Sequence, residues 1–94
     1  MTGLLARSKA GHDKGRLYLV VREEEGLLWL SDGTIRGLLN PKKKKRKHVQ
    51  PARRAFTEEE IAQFFRNPAW ADNVIRERIS QEEAGKNKPP GAVK

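Results

Sequence analysis

The chain has 94 residues and carries 20 Lys plus Arg against 12 Asp plus Glu, a formal net charge of +8. At this length folding buries roughly 60–65% of the surface of the unfolded chain, enough for one small core and no deep, water-excluding catalytic cavity. Cysteine is absent, which removes disulfide scaffolds, Cys-based zinc sites and thiol nucleophiles.

The charge is uneven along the chain. Residues 1–55 hold 14 basic and 5 acidic side chains, net +9, whereas residues 56–94 hold 6 and 7, net −1. With a sequence pI of about 10.2, the default partner is a polyanion, because each Lys or Arg placed on a phosphate releases a condensed counterion. The longest apolar run, Leu17 to Val21, falls far below the roughly 20 residues that cross a bilayer. Leu4, Leu5 and Ala6 are too few for the apolar segment of a signal peptide, so a cytoplasmic protein without membrane contact is expected.

In chain order, Leu4 to Lys9 reads as a strand, and residues 10–15 as a turn. Leu17 to Arg22 reads as a second strand, apolar on both parities, so either face can be the buried one. Glu23-Glu24-Glu25-Gly26 suits a solvated loop before a third strand, Leu27 to Ser31. Asp32-Gly33 has the composition of a two-residue hairpin turn, which predicts a fourth strand over Thr34 to Leu39, ended by Asn40-Pro41. His48-Val49-Gln50 then supplies a short fifth strand before Pro51. Short strands about ten residues apart, joined by tight turns, predict a small antiparallel barrel over residues 1–55.

Residues 56–84 change regime to a helical appendage. Phe56-Thr57-Glu58-Glu59-Glu60-Ile61 combines a capping box with a hydrophobic staple, opening a helix of about ten residues with Ile61, Phe64 and Phe65 on one stripe. Asn67-Pro68 restarts the chain as N-cap and first helical residue, and Trp70, Val74, Ile75 and Ile79 form the second stripe. Gly85 is the expected stop, and residues 85–94 the expected disordered tail.

Catalysis finds little support. His12 and His48 show no metal-ligand spacing, and Ser8, Ser31 and Ser80 lack the glycines of a nucleophile elbow, so neither an enzyme nor a bound cofactor or metal is expected. More informative is Gly11-His12-Asp13-Lys14-Gly15-Arg16, where two glycines let the backbone bend sharply while Lys14 and Arg16 project outward. It suits a phosphate contact or an ordinary tight loop equally.

The run Lys42, Lys43, Lys44, Lys45, Arg46, Lys47 admits three readings: a polyanion contact, a short nuclear-import type signal, or a solvated and self-repelling loop. Its place after the fourth strand of a barrel with a basic turn favours contact with RNA. Trp29 is either a stacking platform for an unpaired base or a packing residue opposite Leu28 and Leu30, and the apolar helix stripes favour packing.

The stretch Ser8-Lys9-Ala10-Gly11-His12-Asp13-Lys14-Gly15-Arg16-Leu17-Tyr18-Leu19-Val20-Val21 resembles the KOW motif. Ser31-Asp32-Gly33-Thr34-Ile35-Arg36 and Asn40-Pro41-Lys42-Lys43-Lys44 extend the likeness over roughly residues 3–52 to small bacterial KOW-domain RNA-binding proteins, akin to a class of archaeal and eukaryotic large-subunit ribosomal proteins. That resemblance implies an SH3-like five-stranded barrel. It also implies a non-catalytic protein that contacts structured RNA, most plausibly ribosomal RNA, with Lys9, His12, Lys14, Arg16, Arg36, the cations at 42–47, Arg53 and Arg54 as RNA-binding candidates. KOW barrels also dock on ribosome- and transcription-associated proteins, which gives protein interaction as the alternative. The helices lie outside the resemblance.

Overall fold

The computed structural model describes residues 1–86; of the expected disordered tail over residues 85–94, Gly85 and Lys86 are helical instead, and residues 87–94 lie outside that range. Five strands, β1 (Leu4–Ser8), β2 (Leu17–Glu24), β3 (Leu27–Ser31), β4 (Lys42–Lys45) and β5 (Val49–Arg54), are followed by the helices α1 (Glu58–Phe64) and α2 (Pro68–Lys86). The strands form one antiparallel sheet in the order β4-β3-β2-β1-β5. A single 3₁₀ turn, Arg46–His48, joins the two edge strands β4 and β5.

The double apolar parity of β2 has a direct structural meaning, because the sheet is buried on both faces. Leu17, Leu19 and Val21 join Leu5, Leu38, Ile61, Phe64, Ala71 and Ile75 in a core between sheet and helices. Tyr18 and Val20 face the other way and join Ala6, Leu28, Leu30 and Val49. Among the described residues no helix contributes to this second cluster, yet Val49 on one edge strand and Leu28 and Leu30 near the other edge are all buried in it. The sheet therefore curls around these side chains. Each fully buried Leu contributes about 1.5–3 kcal/mol.

Two strand expectations are corrected. The two-residue hairpin lies at Glu25-Gly26, where φ is +49° and +81°, and not at Asp32-Gly33. Glu23 and Glu24 accordingly belong to β2, and the Glu23 carboxylate pairs with Arg46 at 3.2 Å. Residues 34–39 are not a strand either. The Asp32 carboxylate accepts hydrogen bonds from the amides of Thr34 (2.8 Å) and Arg36 (3.0 Å), so local Asx chemistry folds the chain back on itself. The resulting loop sinks Leu38 into the helix-side core and exposes Ile35 and Leu39.

Gly33 is needed there for a second reason besides its φ of +78°: a Cβ would lie 2.4 Å from the Asp72 carbonyl oxygen of α2. The fourth strand is instead the lysine run, which pairs with β3 from Leu27↔Lys45 to Leu30↔Lys42. The fifth runs past Pro51 to Arg54, since an edge strand has one open flank where a missing donor costs nothing, and the register shifts at this point.

The capping box forms as the sequence specifies, with the Thr57 amide donating to Glu60 Oε1 (2.8 Å) and the Glu60 amide to Thr57 Oγ1 (3.1 Å). α1 is shorter than expected, and Phe65 falls in its C-cap with its ring exposed. On α2 the buried stripe is Ala71 and Ile75 flanked by Val74 and Ile79, while Trp70 stays 48% exposed with its ring edge on Phe64. Asp72 and Arg76 fix this rotation of the helix, Asp72 accepting from the Leu38 amide at 2.8 Å and Arg76 donating to the Gly33 carbonyl at 3.1 Å. Gly85 continues α2 rather than ending it.

Candidate nucleic-acid interface

The turn between β1 and β2 is organised by Asp13. Gly11 and Gly15 both take φ of +87°, which closes the turn over the Asp13 side chain. The Ser8 hydroxyl (2.8 Å) and the Tyr18 hydroxyl (2.9 Å) donate to the carboxylate, and the ammonium groups of Lys42 (2.9 Å) and Lys44 (3.0 Å) complete its shell. Burial works against the charge, yet these four donors outweigh it and hold the Asp13 carboxyl far below the usual carboxylate range. Tyr18 responds in the opposite sense: burial, then its bond to the Asp13 anion, push its phenol up to about 12.

The basic run is thus a strand with two phases. Lys42 and Lys44 point toward the β1–β2 turn and are half-buried, whereas Lys43 and Lys45 are exposed. Lys43 lies 5.8 Å and Arg22 4.6 Å from the centre of the Trp29 ring, so Trp29 is packed on the helix-side core beneath two cations.

Beside the Asp13 hub, the turn and the Asp32 loop enclose a cleft of about 310 Å³ lined by His12, Asp13, Lys14, Arg16, Tyr18, Asp32, Ile35, Arg36 and Lys42. Arg16 reaches across it to pair with Asp32 at 2.9 Å. For Asp32, too, burial opposes ionisation, and the donors Thr34 and Arg36 together with the Arg16 charge keep the carboxyl low. Lys14 and Arg36 form no ion pair among the described residues. The cleft can therefore accept an anion without breaking a bridge.

The other sequence candidates lie elsewhere. Lys9 is exposed beside the 3₁₀ turn, its amide bonded to the His48 carbonyl at 2.8 Å. Arg46 and Lys47 meet Lys45 at the far end of the sheet around Glu25-Gly26. Arg53 pairs with Glu82 at 3.2 Å and Arg54 donates to the Phe56 carbonyl at 2.9 Å, so both serve the junction with the helices. Arg7 ties α2 to the turn, bonded to Glu83 (2.9 Å) and to the Gly15 carbonyl (2.9 Å).

Sequence reasoning missed Asp13, Asp32 and Ile35. The alternation of Lys42 and Lys44, read as a strand, signals that two of the cations need an inward partner. No group of three or more His, Asp or Glu able to hold a metal occurs among the described residues, and none of their helices is long and apolar enough to cross a membrane. No protein-family model matches the chain, and no curated protein matches it at a significant level.

Proposed function

We propose that this chain is a non-catalytic RNA-binding protein built on an SH3-like barrel, gripping structured RNA at the cleft between the Gly11–Gly15 turn and the Asp32 loop. One observation carries the reading: segments distant in sequence bring His12, Lys14, Arg16, Arg36 and Lys42 to one concave site. Four of these are permanent cations against the two carboxylates Asp13 and Asp32, leaving a positive cleft suited to phosphate. The motif-like turn and the five-stranded curled sheet accord with the KOW resemblance. Ribosomal RNA is the target that resemblance favours, in the cytoplasm.

The test is a salt titration of affinity for a structured RNA, comparing wild type with Lys14→Ala/Arg36→Ala. Loss of two phosphate contacts flattens the slope of log affinity against log salt by roughly 0.7 to 0.9 per contact. An unchanged slope moves the interface away from the cleft.

A second reading, docking on a ribosome- or transcription-associated protein, draws on the exposed Trp70 and Phe65 rings. Trp70 lines a groove of about 390 Å³ with Phe56 and Val74. Trp70→Ser distinguishes the two, since it leaves RNA affinity intact and removes a protein contact.

A further inference from the structure

The cleft carries one feature that charge alone leaves unexplained. Ile35 is 77% exposed on its wall, whereas Leu38 in the same loop is fully buried. Opposite chemistry shares the site: the Arg16 side chain is 52% exposed, and its guanidinium is anchored to Asp32 at 2.9 Å with Asp32 itself buried. Its planar group is thereby held in place while a large part stays open to solvent. Fixed guanidinium planes and apolar side chains are the surfaces on which splayed-out bases stack.

The cations divide in the same way. Arg16 and Lys42 are committed to Asp32 and Asp13, while Lys14 and Arg36 form no ion pair among the described residues. At about 310 Å³ the cleft sits at the small end of ligand clefts, on the order of one nucleotide and too small for a duplex groove. We propose that it takes a single unpaired nucleotide of the RNA strand, the base seated between Arg16 and Ile35 and the phosphate held by Lys14 and Arg36. The proposal rests on the RNA-binding reading and sharpens it: the preferred RNA has a bulged or looped-out nucleotide.

The experiment measures affinity of the full chain for two RNA hairpins that differ only by a one-nucleotide bulge, and for a free mononucleotide. Wild type is expected to favour the bulged hairpin by about tenfold, the effect of one stacked base. Ile35→Ser, at an exposed position, brings that preference below about threefold, and Ile35→Phe restores it. Equal affinity of wild type for both hairpins overturns the nucleotide cleft while leaving RNA binding in place. Failure to bind either hairpin better than a basic protein of equal charge overturns both. A mononucleotide bound as tightly as the bulged RNA overturns the strand-borne form of the ligand.

Discussion

Lys42 and Lys44 differ from Lys43 and Lys45 only in strand parity, and they do different things. The first pair neutralises the buried Asp13 and so clamps the β1–β2 turn to the edge strand β4, although that turn and β4 are about thirty residues apart. The second pair faces solvent, with Lys43 over the Trp29 ring. A block of like charge is therefore not one electrostatic object. Pairing with β3 sorts it into cations that build the cleft and cations free to meet a polyanion.

The largest expected effect breaks the clamp. Asp13→Ala leaves Lys42 and Lys44 facing each other without a counter-charge, and equilibrium unfolding is expected to show a loss of about 3 kcal/mol. Lys44→Ala removes one charged hydrogen bond and is expected to cost about 1.5 kcal/mol, with Lys42 still in place. Tyr18→Phe removes a single hydroxyl donor and should cost about 1 kcal/mol. Lys43→Ala/Lys45→Ala is expected to change stability by less than about 0.5 kcal/mol. A destabilisation by this last pair equal to that of Lys44→Ala would erase the distinction between the two phases.

The pH dependence sharpens the same contrast. The folded carboxyl of Asp13 titrates below its unfolded value of about 4, so the unfolded chain binds more protons in acid. Its contribution to stability is complete above that value and declines as pH falls further. Tyr18 has the reverse sign: its contribution holds below about pH 10 and is lost as pH rises toward about 12. Asp13→Asn is expected to flatten the acid limb of stability and to bring the tyrosinate absorbance transition down from about 12, with the part of the rise that burial causes remaining.

Where local chemistry alone decides, the sequence was readable. The capping box at Thr57 and Glu60, the first three strands and the sharp Gly11–Gly15 turn all follow from residues within a few positions of one another. The fourth strand was not, because Asp32-Gly33 offers two local solutions and the close approach of α2 at Asp72 and Arg76 selects the Asx loop over the hairpin. Displacing that strand assigned the pairing instead to the lysine run, which propensity alone disfavours and the Asp13 carboxylate makes tolerable. Half of the cleft was legible as the basic turn; its other wall, with Ile35 and Arg36, exists only because that loop folds back.

The most direct test of the central claim is amide chemical-shift mapping of the isotopically labelled full chain during titration with a bulged RNA hairpin. Saturable shifts concentrated at residues 12–16 and 33–36 are expected, with those of the Arg53 and Trp70 regions small. Largest shifts around Trp70 and Val74, or shifts spread evenly over every exposed Lys and Arg, would contradict it.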